Sequence, residues 1–306
     1  MAAHPTTDEL QRLLHVLPYS RSDDGKRVLV TSVTMFRQPV AGNVVVLPVG
    51  GRLKRLQWVA LVALLGLALV SGLARAADGP STARPLRVLF IGNSQTSTND
   101  LPAFVAAIAK TSKQVSFEYR TIAPSAVTLE GNWNRGSARG SLLGGHWDAV
   151  VLQQGPSVLP ESRAKLCFYT KAFADEAREW GVRPFLLMVW PRRGSGLPEV
   201  VDAYSAAAAG AETGLLPGGA AWGAALRRAP GLPLYAWDGI HPGRVGTYLA
   251  ALVVYAGLRG IPAVAPNSLV VNGNPFWIPR ETARLLRDSA REALATRFSA
   301  PACSEL

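Results

Sequence analysis

Cysteine, histidine and charge are all scarce in this chain. Its 306 residues include 2 Cys, 4 His and 3 Met, and charged side chains make up only 17%. Two cysteines exclude a disulfide-built scaffold and a cysteine-rich zinc module. No Walker loop is present, no G-x-G-x-x-G follows the first apolar strand, and there is no G-x-S-x-G elbow. Phosphate-cradling loops and the standard α/β-hydrolase arrangement are therefore not indicated. With two histidines beyond residue 76 and no cysteine cluster, no metal set is convincing, and no cofactor is expected. What is abundant is apolar residue, 48% of the chain, enough for a substantial core and too much for a wholly disordered protein.

The formal net charge of +11 invites a nucleic-acid reading. Its location argues against one. Trp58 to Val70 is a run of thirteen apolar residues, reaching Ala74 with Ser71 as the one interruption. Arg52, Lys54 and Arg55 precede it, and Ala74-Arg75-Ala76 supplies a small-x-small cleavage pattern. This is the make-up of a signal peptide, cut before Ala77. An uncleaved single-span anchor and a buried core helix are the alternatives. About fifty residues precede the basic flank, so residues 1–51 read as an N-terminal extension whose true start lies inside it, at Met35 or at a valine, or as a short cytoplasmic tail. Residues 52–76 are the signal or anchor and 77–306 the working domain. Nine of the 32 basic and four of the 21 acidic residues precede Ala77, leaving 23 and 17, a net of +6. The remaining cations are scattered, no nucleic-acid motif is present, and export is expected, so no nucleic-acid partner is expected. Membrane contact is expected only through residues 52–76, if they stay uncleaved.

Beyond the leader, apolar strands alternate with helical segments. Strands are expected at Leu86–Ile91, Val115–Ile122, Trp147–Leu152, Val182–Val189 and Leu234–Trp237, as short apolar runs closed by Gly, Pro or polar residues. Helices are expected at Asp100–Lys110 with Asn99 or Asp100 as cap, Glu161–Trp180, Val200–Ala211, Ala220–Arg228, Val245–Leu258 and Pro279–Arg297. Repeated strand-then-helix units imply a mostly parallel sheet covered on both faces. In such sheets ligands bind beyond the carboxyl ends of the strands. Three segments there carry polar chemistry: Gly92-Asn93-Ser94, Gln153-Gln154-Gly155 and Asp238-Gly239-Ile240-His241.

A serine nucleophile needs a base, and the base needs an orienting acid. His146 stands before a strand, at the wrong end of the sheet. His241 follows one, and the D-x-x-H spacing on a turn lets Asp238 accept a hydrogen bond from its ring. Ser94 sits on the turn after the first strand. Each segment alone is also an ordinary surface loop.

Together, GNSQT after the first strand, the apolar WDAVVLQQG strand and a late DGIHPG resemble the SGNH (GDSL-like) hydrolase superfamily, in the same order, over about residues 86 to 260. The resemblance implies a three-layer α/β/α sandwich with a flavodoxin-like sheet and hydrolysis of acyl esters. It implies Ser94 as nucleophile, His241 as general base and Asp238 as its orienter. Asn93 replaces the family's usual acid in the first block. The third block, usually G-x-N-D with an oxyanion-donating Asn, is replaced by Gln153-Gln154-Gly155-Pro156-Ser157. The oxyanion donors implied are the Ser94 backbone N–H with Gln153, Gln154 close behind, and either Gly131 or a backbone N–H near Ser125-Ala126.

The implied function is an exported serine esterase acting on small-molecule or glycan esters, with O-acetyl groups as a plausible acyl class. An acyltransferase of the same fold and a non-catalytic envelope-binding protein are the alternatives. Cys167 and Cys303 either pair in an oxidising compartment or are independent thiols. Trp133, Trp190 and Trp237 fall near strand or motif ends, as a sugar platform or as core.

Overall fold

The computed structural model describes residues 19–21, 27–29, 84–112, 116–299 and 303. The chain divides into two compact units, Met1–Arg75 and Ala76–Leu306. In the first, Tyr19–Arg21 pairs antiparallel with Arg27–Leu29. The apolar run 58–74 and the cleavage pattern lie outside the described residues, among which no helix is long and apolar enough to cross a membrane.

The second unit begins with β1 (Leu86–Ile91), the single helical turn α1 (Ser94–Ser97), α2 (Leu101–Ser112) and β2 (Phe117–Ile122). Two short helices, α3 (Leu129–Asn134) and α4 (Ser137–Leu143), lead into β3 (Ala149–Leu152). Then come α5 (Pro160–Glu179), β4 (Arg183–Leu187), α6 (Pro198–Gly210), β5 (Gly214–Leu216), α7 (Gly218–Arg228) and α8 (Arg244–Arg259). A hairpin of β6 (Ser268–Val271) and β7 (Asn274–Trp277) and the helix α9 (Arg280–Ala295) complete it.

The five central strands run in the order β2-β1-β3-β4-β5, and every neighbouring pair is parallel. Period-2 alternation on buried strands sorts their side chains into two cores. Val88, Phe90, Ala149 and Val151 pack with α2, α7, α8 and α9. Leu89, Ile91, Val150 and Leu152 pack with α3, α4, α5 and α6. This is the expected three-layer α/β/α sandwich. The chain leaves β1 for β2 on one side and returns to β3 on the other, so a topological switch opens between the carboxyl ends of β1 and β3.

Two expectations fail. The fifth strand is Gly214–Leu216, not Leu234–Trp237, which contributes a single bridge, Tyr235 to Pro242. Three residues bounded by Gly and Pro carry too little pattern to announce a strand. Leu234 is apolar because it is fully buried in the core, not because it lies in the sheet. The hairpin is the second omission. Its Asn272-Gly273 turn, with φ of 50° and 78°, is the sequence pair best suited to a two-residue hairpin.

The tryptophans divide. Trp190 is buried and stacked on Trp222 with ring centroids 3.9 Å apart. Trp133 meets Phe173 edge-on at 4.9 Å, beneath the Arg139 guanidinium. Trp237 stands in solvent, 96% exposed. A disulfide joins Cys167 on α5 to Cys303.

Candidate active site

Ser94, His241 and Asp238 meet at the carboxyl end of the sheet. Ser94 opens the turn α1 directly after β1, and Asn93 caps that turn by accepting the Gln95 N–H at 3.0 Å. Ser94 Oγ lies 2.8 Å from His241 Nε2, and His241 Nδ1 lies 2.5 Å from Asp238 Oδ2. A carboxylate only accepts, so Nδ1 carries the proton and Nε2 is left to accept from the serine hydroxyl. The other Asp238 oxygen accepts the backbone N–H groups of Ile240 and His241, each at 2.9 Å. The hydrogen bond from His241, reinforced by those two backbone donors, pulls the Asp238 carboxyl down to about 2, against the opposing effect of burial.

The loop carrying Asp238 and His241 is fixed from several directions. Ala236 N–H donates to His241 O at 2.9 Å, and Gly239 takes a φ of 68°. From the segment after β4, Trp190 Nε1 donates to Ile240 O at 3.0 Å and Arg193 N–H to Gly239 O at 2.8 Å. The His241 loop is thus held by backbone and by a buried indole.

Gln153 belongs to the site, but not in the expected role. It is 1% exposed. Its Oε1 accepts from Asn93 N–H at 2.9 Å and Thr96 Oγ1 at 2.8 Å. Its Nε2 donates to Asn93 Oδ1 at 3.0 Å and to Gln154 O at 2.6 Å. Both amide hydrogens are engaged, so no donor remains for an oxyanion, and Gln153 instead pins the loop that presents Ser94. The same surroundings explain the glycine at 92, where a Cβ would meet Gln153 Oε1 at 2.5 Å and Thr96 Oγ1 at 2.7 Å.

Gln154 turns elsewhere. Its Nε2 donates to Ser157 Oγ at 2.9 Å and Ser162 O at 3.3 Å, and its Oε1 accepts the Leu129 N–H at the start of α3. The Gly131 N–H is bound to its own helix cap, Thr128 Oγ1, at 3.2 Å. Of the donors the resemblance suggested, Ser94 N–H and the Ser125-Ala126 segment keep N–H groups with no backbone acceptor among the described residues. That segment follows β2 beside β1, with Ala126 at a φ of 58°. His146 is exposed in the loop before β3, at the far end of the sheet.

Two supporting residues had no sequence signal. Asn132, buried on α3, donates through Nδ2 to Gly92 O at 2.8 Å, gripping the nucleophile loop opposite Gln153. Asn99 Nδ2 donates to Pro242 O at 2.8 Å and Thr247 Oγ1 at 3.0 Å, tying the end of the nucleophile turn to the residue after His241. Nothing in local spacing announces either, since both partners are distant in sequence. Among the described residues, no group of three or more His, Cys, Asp or Glu is placed to hold a metal ion.

No protein-family model and no curated protein matches the chain. Solved structures do. A DUF4886 family protein from Bacteroides uniformis is 17% identical, with a TM-score of 0.58, over 72% of this chain and 99% of that one. A protein from Slackia heliotrinireducens, described provisionally as an SGNH hydrolase, is 26% identical over 57% of this chain and all of its own, with a TM-score of 0.49. A lipase/acylhydrolase from Enterococcus faecalis is 14% identical over 58% of this chain and 96% of its own, with a TM-score of 0.47. The strand order and layers are those the resemblance implied. The likeness to the Bacteroides protein is one of fold.

Proposed function

We propose that this protein is an exported serine esterase that cleaves acyl esters through Ser94, His241 and Asp238. One observation carries the reading: a continuous hydrogen-bonded chain from Ser94 Oγ through His241 to Asp238, assembled at the topological switch of the sheet. In the proposed cycle, Ser94 Oγ attacks the ester carbonyl while His241 Nε2 takes its proton. Asp238 holds the imidazole in the correct tautomer and stabilises its cation. The tetrahedral intermediate collapses, His241 returns the proton to the departing alkoxide, and an acyl-Ser94 remains. Water activated by the same histidine then releases the acid. Ser94 N–H is the first oxyanion donor and a backbone N–H of Ser125 or Ala126 the second. Each such donor is typically worth about 3–4 kcal/mol of transition-state stabilisation.

Export is supported by the apolar run 58–74 with its basic flank and Ala74-Arg75-Ala76, and by the Cys167–Cys303 disulfide, a bond that persists in oxidising compartments. O-acetyl groups on carbohydrate are the favoured substrates, a choice that rests on export and on the resemblance carried by GNSQT and DGIHPG. Ser94→Ala tests the reading. Hydrolysis of p-nitrophenyl acetate and labelling by a fluorophosphonate should both disappear while the circular dichroism spectrum stays native. Full activity in that variant would sink the assignment.

A further inference from the structure

The nucleophile turn commits nearly all of its donors to itself. The backbone N–H of Asn93 goes to Gln153 Oε1 and that of Gln95 to Asn93 Oδ1. Those of Thr96 and Ser97 go to Asn93 O, and that of Thr98 to Ser94 O. The Thr96 hydroxyl is taken by Gln153 Oε1. Between Asn93 and Thr98, Ser94 N–H alone has no acceptor among the described residues.

A side-chain donor beside it is uncommitted as well. Asn93 Oδ1 accepts two hydrogen bonds, from Gln95 N–H and from Gln153 Nε2, each at 3.0 Å. A backbone N–H can only donate, so the atom facing it is the amide oxygen, and the nitrogen stands on the other corner. Among the described residues no acceptor reaches Asn93 Nδ2, and it is not one of the buried side-chain nitrogens shut away from solvent. The bond from Asn93 Oδ1 to the N–H two residues on closes a ring around Ser94. That ring lays the amide across the stretch of turn where Ser94 N–H is free. An aspartate at 93 could accept the same two bonds but would have nothing to donate.

Resting on the esterase reading, we infer that Asn93 is a catalytic residue whose Nδ2 donates to the oxyanion beside Ser94 N–H. As the bond from Ser94 Oγ to the acyl carbon forms, the carbonyl π pair moves onto the oxygen and the hydroxyl proton goes to His241 Nε2. The new negative charge then meets two donors of one turn. When the alkoxide leaves with the proton from His241, the pair returns and the donors are released. Gln153 takes an indirect part: its amide hydrogen holds the Asn93 oxygen and leaves Nδ2 for the substrate. Gln95 is the rival donor, since no acceptor reaches its Nε2 among the described residues. Its oxygen, however, meets Gln153 Nε2 only at 3.5 Å, too long to fix the amide.

Asn93→Asp tests the inference, because it is nearly isosteric, keeps both accepted bonds and removes the donor. On the full chain it should lower kcat for p-nitrophenyl acetate by about 100–1,000-fold, with KM within about threefold and Tm unchanged. Asn93→Gly, uncharged and well tolerated at a helix cap, should show a loss of the same order. Activity of the Asp variant within about threefold of wild type overturns the inference and leaves the esterase standing. A loss confined to the Asp variant belongs to its added charge and also overturns it. A loss that Gln95→Leu produces and the Asn93 variants do not moves the role to Gln95. A wild type that hydrolyses no acyl ester and does not react with a fluorophosphonate removes the esterase reading, and this inference with it.

Discussion

Replacing Gln153 with Leu keeps the approximate size of the side chain and deletes its amide. Two of the four partners have other bonds: Asn93 Oδ1 keeps the Gln95 N–H and Gln154 O keeps the Tyr204 hydroxyl. Asn93 N–H and Thr96 Oγ1 are left stranded in a buried place. A stranded buried polar group costs about 1–3 kcal/mol, so the loss should be about 2–6 kcal/mol. Against a typical net stability of about 5–15 kcal/mol, the variant should fold but melt early. Urea unfolding, followed by circular dichroism, would show the midpoint fall with the slope unchanged. At low urea, fluorophosphonate labelling of the folded variant should also slow, because the loop that holds Ser94 against His241 has lost its anchor. The competing idea, an oxyanion-donating Gln153, makes the opposite pairing: a drop of roughly 100–1,000-fold in kcat at unchanged stability. That pairing would refute the structural reasoning.

Asp238→Asn should leave the protein folded and lower kcat by about 10,000-fold, since the amide can hold the wrong imidazole tautomer; steady-state kinetics decide it. The Asp238 carboxyl titrates well below its unfolded value, so its contribution to stability is complete above the ordinary carboxylate range, near pH 4, and is lost as pH falls toward 2. Acid-unfolding curves of wild type and Asp238→Asn should therefore converge between about pH 4 and pH 2. Cys303→Ser opens a disulfide spanning 136 positions and should destabilise by about 2–4 kcal/mol; the variant's Tm should not fall further on adding dithiothreitol. Trp190→Ala should cost about 3–5 kcal/mol by emptying the stack on Trp222, whereas Trp237→Ala should stay within about 0.5 kcal/mol. Equal costs in chemical denaturation would contradict the burial assigned to the two rings.

The parts of the fold that were legible in the sequence are those where burial is total. VLFI and AVVL are apolar on both faces because helices cover both, and such runs point to a parallel sheet. Gly214–Leu216 was missed because an edge strand of three residues makes its ladder with backbone, and leaves almost no mark on side-chain choice. Asn272-Gly273 is a visible hairpin pair, but it lies in a stretch between two helices to which the strand pattern assigns no element. The meeting of Ser94, His241 and Asp238 was legible in two short segments in the right order. The oxyanion assignment to Gln153, Gln154 and Gly131 did not survive, for a common reason: each group is claimed by a neighbour that spacing does not reveal. The nucleophile loop itself needs an acceptor for Asn93 N–H and a donor for Asn93 Oδ1, and one buried glutamine supplies both. The Cys167–Cys303 pairing stayed open for a similar reason, since residues 136 positions apart carry no local sign of contact.

Ser94 and His241 are 147 positions apart, at opposite ends of the sheet-building segment. During synthesis the serine emerges long before its base, and nothing short of the docked loop after β5 brings the two within 2.8 Å. A chain still being made, or threaded unfolded through a channel, therefore carries an inert alcohol. On the proposed esterase reading, reactivity is switched on by completion of the fold, so labelling at Ser94 would count finished molecules.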